Sequence, residues 1–146
     1  MTMEKQVNIA GYLDSTYLKT SAEAGVSEIE TKEIVINAIK EAIDAKFACI
    51  MIRSEFIAIA KELIEKSKSK LKIGTVVDFP FGNSTTEQKI IEAKSAIESG
   101  AYDIDYVCDY NAFKRGAFAK FDIDILEGTK IVLENKKIVK WIIETG

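Results

Sequence analysis

Short apolar runs alternate along the chain with longer stretches in which apolar residues recur every three or four positions. The first run, Gly11-Tyr-Leu-Asp-Ser-Thr-Tyr-Leu18, predicts a strand that carries an Asp. Ser27-Glu28-Ile29-Glu30 reads as a capping box, in which the Ser27 hydroxyl takes the amide three residues on and Glu30 reaches back. It opens a helix with Ile29, Ile36, Ile39 and Ile43 near helical spacing, ending near Ala45. Phe47-Ala-Cys-Ile-Met-Ile52 is the continuous apolar run expected of a parallel strand covered on both faces. The pattern then repeats. Ser54 predicts the cap of a helix with Ile57, Ala60, Leu63 and Ile64 on one side. Residues 72–77 form a third strand and residues 78–83 a turn-rich loop. Ser84 and Glu87 make a second capping box, for a helix that stops at Gly100. Residues 104–108 read as a fourth strand, residues 121–133 as a helix, and residues 138–143 as a fifth strand.

Strands joined by helices of this length imply a parallel sheet with right-handed crossovers, hence α/β architecture. Two closures compete, an open doubly wound sheet and a (β/α) barrel. No Gly-x-Gly-x-x-Gly follows the first strand, and no Gly-x-x-x-x-Gly-Lys-Ser/Thr loop is present. Polar residues within or at the C-terminal ends of the strands (Asp14, Thr16, Arg53, Asp78, Asp105, Lys140 and Glu144) favour the barrel, which carries its chemistry there. A complete barrel has eight strands and roughly 250 residues, whereas these 146 residues supply about five. We therefore expect a partial TIM (β/α)8 barrel. It forms one domain over residues 1–146, cut short at the C-terminal end. Its two open edges and apolar interior invite association, as a homo-oligomer or through the edges themselves.

Charge and composition narrow the function. Twenty Lys+Arg against 23 Asp+Glu give a net charge of -3, without the basic excess that a nucleic-acid surface requires. No apolar stretch approaches the roughly 20 residues of a membrane span, and the first residues lack the apolar core of a secretory signal. The absence of His excludes Ser–His–Asp and Cys–His sites and any zinc site that needs imidazole. Proton transfer falls to Asp, Glu, Lys, Tyr or Cys. Cys49 and Cys108 lie far apart within apolar runs, so two buried, reduced thiols are favoured over a disulfide, and the cytoplasm fits best.

Two residues stand out against their strands. Asp105 sits between Ile104 and Tyr106, where an uncompensated carboxylate is costly; the plainer alternative is a solvated strand-end Asp or a helix cap. Lys140 interrupts Ile138-Val139 and Trp141-Ile-Ile143; the plainer alternative is an edge lysine whose stem covers apolar surface. If their strands are neighbours, the two form a compensating pair suited to carbonyl and carbanion chemistry, with the lysine charge holding the carboxylate ionised. Asp14 and Thr16, two residues apart and on one face, are placed to bind a substrate hydroxyl, or else to form a turn at a strand end. Asp78 and Phe79-Pro80-Phe81-Gly82 shape a loop.

Four ordered segments resemble the N-terminal part of the deoxyribose-phosphate aldolase family. They are Tyr12-Leu-Asp-Ser-Thr-Tyr-Leu-Lys19, Gly74-Thr-Val-Val-Asp-Phe-Pro-Phe-Gly-Asn-Ser-Thr-Thr-Glu87, Glu92-Ala-Lys-Ser-Ala-Ile-Glu-Ser-Gly-Ala-Tyr-Asp-Ile-Asp105 and Lys140-Trp-Ile-Ile-Glu-Thr-Gly146. The resemblance implies a (β/α)8 class I aldolase. Such an enzyme cleaves 2-deoxyribose 5-phosphate reversibly to glyceraldehyde 3-phosphate and acetaldehyde through a lysine Schiff base, with no metal and no cofactor. It implies phosphorylated-sugar and small-aldehyde substrates, and no nucleic-acid or membrane partner. Asp105 matches the proton-relay aspartate, Lys140 the lysine beside the Schiff-base lysine, and Asp14 and Thr16 the Leu-Asp-x-Thr residues that contact substrate. A cysteine frequent on the family's second strand aligns with Met51. The family's Schiff-base lysine, a second essential lysine and the phosphate-binding glycines and serines have no match in these 146 residues, so we expect the chain to be inactive by itself. The alternative is a non-catalytic, oligomerising partial-barrel module.

Overall fold

The computed structural model describes residues 7–145; the first six residues, read above for a signal, and Gly146, which closes the last matched segment, lie outside them. Five parallel strands lie in the order of the sequence: β1 (Asp14–Tyr17), β2 (Cys49–Ile52), β3 (Lys72–Val77), β4 (Asp103–Val107) and β5 (Ile138–Ile142). A doubly wound sheet reverses its order at a switch point, so this progressive winding decides for the barrel. Curvature confirms it. Lys140 on the last strand donates to Asp14 on the first across 3.0 Å, although β1 and β5 are not paired with each other.

Alternation divides each strand between two faces. Ile50, Ile52, Ile73, Val77, Ile104 and Tyr106 point outward and form the core with the helices α2 (Glu28–Asp44), α3 (Ile57–Ser67), α4 (Thr86–Ser99) and α6 (Phe118–Glu134). Cys49, Met51, Val76, Asp103 and Asp105 lie on the inner face. Gly74 belongs there too, and a Cβ on it would stand 2.5 Å from the Met51 methyl and 2.9 Å from Cys49 Sγ. Behind β5, Trp141 stacks on Tyr106 at 4.6 Å between ring centroids and donates from Nε1 to Thr129.

Several local expectations shift. The first strand begins at Asp14, because Ile9–Tyr12 forms a 3-10 turn capped by the Asn8 side chain. The Ser27–Glu30 capping box of α2 forms, but the buried stripe is Thr31, Val35, Ile39 and Ala42. Ile29 lies off that stripe and is 74% exposed. Ser54 caps nothing: it begins a 3-10 turn, Ser54–Phe56, that runs into α3 without a side-chain cap. There the chain is fixed by Arg53, whose Nε donates to the Leu18 carbonyl at 2.6 Å. The cap of α4 is Thr85 with Gln88, one residue beyond the expected pair, because Asp78 engages Ser84 through both its amide and its hydroxyl. Two short helices, α1 (Ser21–Ala24) and α5 (Tyr110–Lys114), precede α2 and α6. Both cysteines are free and buried. Among the described residues no helix is long and apolar enough to cross a membrane.

Candidate active site

Parallel register places Asp105 directly opposite Lys140. Two residues earlier on β4, Asp103 shares the inner face with Asp105, and β1 brings Asp14 from across the curved sheet. The Lys140 ammonium stands 3.0 Å from Asp14, 3.3 Å from Asp105 and 3.4 Å from Asp103. Three carboxylates thus surround one ammonium. Burial alone would favour the neutral amine, but the hydrogen bond to Asp14 and the charges of Asp105, Asp14 and Asp103 outweigh it and hold the Lys140 pKa well above its ordinary value.

The carboxylates respond differently. Burial raises the pKa of both Asp103 and Asp105, and Lys140 only partly offsets it. The expected pair therefore forms, but the lysine does not fully offset the upward push of burial on Asp105. Its charge is divided among three partners, and its approach to Asp105 Oδ1 is too oblique for a hydrogen bond, which leaves that buried oxygen without one. A carboxyl in this setting takes up a proton more readily than a free Asp.

A folded-state pKa above the ordinary value means that the stabilising contribution of Asp105 is fully present below about 3.8 and is lost as pH rises through the folded value. Asp105→Asn removes that dependence. The variant should be more stable than the parent at pH 7 by about 1 kcal/mol, with the advantage shrinking as pH falls into the acid range. Urea midpoints of both proteins across pH 4–8 check the sign; a difference that is flat in pH contradicts it.

The structure brings Asp14, Asp105 and Lys140 together; Thr16 shares the Asp14 face, opposite Met51, but makes no hydrogen bond to the cluster. Asp103 was not singled out in the sequence, although its i−2 spacing from Asp105 on a strand was the signal that would have found it. Cys49 is the other newcomer. Its thiol lies within 4.8 Å of carboxylate oxygens of Asp14 and Asp103, a spacing that could hold a metal ion. A cation there competes with the Lys140 ammonium for the same carboxylates, and the thiol is pushed far up by burial, Asp103 and Asp14.

A second polar cluster lies behind the sheet and was also missed. Lys89 of α4 is 1% exposed, and its ammonium donates to Asp124 of α6 at 2.8 Å and to the Val107 carbonyl at 3.1 Å. Asp78 stands 3.7 Å away, and the Thr86 hydroxyl donates to the other Asp124 oxygen. This group ties the β3–α4 loop, the end of β4 and α6 together directly behind the strand that carries Asp105. Asp78 serves the loop, as expected.

The profile described as DeoC/LacD family aldolase matches residues 14–122. The deoxyribose-phosphate aldolase of Thermococcus gammatolerans is 36% identical over 139 residues, which are 95% of this chain and 58% of that protein. The deoxyribose-phosphate aldolase of Bacillus cereus strain AH187 is 38% identical over 139 residues, 95% of this chain and 57% of that protein. Among solved structures, the tetrameric deoxyribose phosphate aldolase of Aeropyrum pernix superposes with a TM-score of 0.73 at 27% identity, covering 93% of this chain and 52% of that one. The chain therefore spans little more than half the length of the relatives it matches.

Proposed function

Because the chain belongs to the DeoC/LacD aldolase family, we propose that its inner face is the proton-handling part of a deoxyribose-phosphate aldolase site. The reaction is the reversible cleavage of 2-deoxyribose 5-phosphate to glyceraldehyde 3-phosphate and acetaldehyde through a lysine Schiff base. Carbon–carbon cleavage of the bound sugar requires a base for the hydroxyl next to the breaking bond. It also requires an acid to return a proton to the carbon left behind as an enamine. Asp105 is the candidate for this shuttle, because its burial brings its affinity for a proton toward the working range. Lys140 orients that carboxyl and stabilises oxyanions that develop beside it. Asp14 and Thr16 bind substrate hydroxyls from the inner face of β1. Two buried thiols fit a reducing compartment such as the cytoplasm.

The observation that carries the division of labour is the crowd of three carboxylates around Lys140. An amine attacks a carbonyl only when deprotonated, and these neighbours keep it an ammonium. Lys140 is therefore not the Schiff-base amine. Treating the protein with acetaldehyde and borohydride at pH 7, followed by intact-mass and peptide analysis, should yield no adduct on Lys140. Converting Asp103 and Asp105 together to Asn should lower the Lys140 pKa and bring an adduct within reach at pH 8–9. Trapping on Lys140 in the unaltered protein at pH 7 would overturn the assignment.

A further inference from the structure

Four turns carry helices back into the sheet, at Ala45-Lys-Phe-Ala48, Lys68-Ser-Lys-Leu-Lys72, Gly100-Ala-Tyr102 and Asn135-Lys-Lys137. Together they hold six lysines and no carboxylate, in a chain of net charge -3. In a parallel sheet wound this way the turns gather at one end, the N-terminal face of the strands. α2, α3, α4 and α6 each close there with the same pair of backbone hydrogen bonds; on α2, Lys46 donates to the Ile43 carbonyl and Phe47 to the Ala42 carbonyl. This closure needs one residue in the left-handed region, a place that glycine fills without penalty. Only α4 uses glycine, Gly100. Lys46, Lys68 and Lys136 stand there on the other three with φ of 56°, 54° and 56°. The steric cost of that conformation exceeds what a cation gains at a helix C-terminus, so stability alone does not account for three lysines in these places.

None of the six is paired with a carboxylate among the described residues, and all but Lys137 are exposed. Lys72 and Lys137 lie over the Tyr102 ring, 4.5 and 5.0 Å from its centroid. Between the ends of α2 and α3 the same face opens into a groove of about 550 Å³, where Ile43, Phe47 and Leu71 supply the apolar part and Lys46 and Lys70 the cations. Ser69, also on the groove, accepts from the Leu71 amide, which leaves its hydroxyl proton free to donate. We propose that this face docks an acidic polypeptide segment, whose carboxylates lie along the arc of lysines and whose one apolar side chain enters the groove. Two observations select this partner among polyanions. The Tyr102 ring is already covered by lysines and is not free for the base stacking that holds a single nucleic-acid strand. An apolar recess beside cations suits a chain that carries a hydrophobic anchor among its charges, whereas an anionic bilayer surface needs only the lysines. The proposal is independent of the aldolase reading.

The test is fluorescence anisotropy with a short labelled peptide of glutamates around one central leucine. Binding is expected at low salt and should weaken steeply toward about 0.15 M salt. The triple variant Lys46→Gly, Lys68→Gly, Lys136→Gly should bind about tenfold more weakly. Its urea midpoint should equal or exceed that of the parent, because glycine suits each of these turns. Lys94→Ala, on the exposed side of α4, should bind as the parent does. With serine in place of leucine in the peptide, affinity should fall about tenfold. No binding at low salt, undiminished binding by the triple variant, or equal binding of the serine peptide overturns the proposal. A lower urea midpoint in the triple variant counts against it as well, since it would assign the lysines to the helix ends. Labelled oligothymidylate and phosphatidylserine vesicles are titrated in parallel. Tighter binding to either than to the peptide overturns the proposal in favour of a nucleic-acid or a membrane partner.

Discussion

Replacing Lys89 with Met should cost the fold about 3–5 kcal/mol, the usual consequence of leaving one partner of a buried ion pair without the other. Asp124, itself 1% exposed, would keep its hydrogen bond from Thr86 but lose the only cation it touches among the described residues. The Val107 carbonyl would lose its Lys89 donor as well. Small proteins have roughly 5–15 kcal/mol of stability in all, and this sheet has two unpaired edges, so the loss is a large share. With a urea slope of about 1–3 kcal/mol per molar, the midpoint should fall by about 2 M. The double variant Lys89→Met, Asp124→Leu should recover most of the loss, because it removes both charges and fills the space with carbon. A single variant costing less than about 1 kcal/mol would mean that water reaches Asp124 and that the pair is not a clamp.

Gly82→Ala should cost about 2–5 kcal/mol, and the reason can be separated experimentally into two parts. Gly82 has φ +67°, and a Cβ on it would lie 2.2 Å from the Cys108 carbonyl oxygen and 2.8 Å from a Val107 methyl. The obstacle is backbone, so the loop must lift off the end of β4. Gly25 has the same φ, with nothing within 4 Å of an added Cβ. Gly25→Ala therefore reports the left-handed conformation alone, about 1–2 kcal/mol, and the excess at Gly82 reports the close approach. Chemical denaturation of the two variants side by side gives both numbers. Equal losses would show that the loop is not seated on the strand.

The strands could be read from the chain because each is a run of residues with one neighbour pattern, and the order β1 to β5 follows from local alternation with helices. Asp105 and Lys140 were legible for a related reason: a charge within an apolar strand is conspicuous. Where the reading slipped, the deciding partner was distant. Ser84 and Thr85 both begin a sequence with an acid or amide three residues on, and only Asp78 settles which of them is free to cap. Lys89 looks like any helix lysine until α6 delivers Asp124, 35 residues later. The upward shift of Asp105 could not be read at all, because it depends first on the burial that the folded sheet imposes and then on the carboxylates that crowd the ammonium of Lys140. The count rises to three only when the sheet curves enough to bring Asp14 to β5.

The stacked pair behind β5 has a practical consequence. Trp141 is the only tryptophan in the chain, adjoins Lys140, and lies flat against Tyr106 with 12° between the rings. Its fluorescence therefore originates at a single known place, the seam between the last two strands. Emission wavelength and quencher access will respond to whatever approaches that margin, so binding there can be followed optically without attaching a dye.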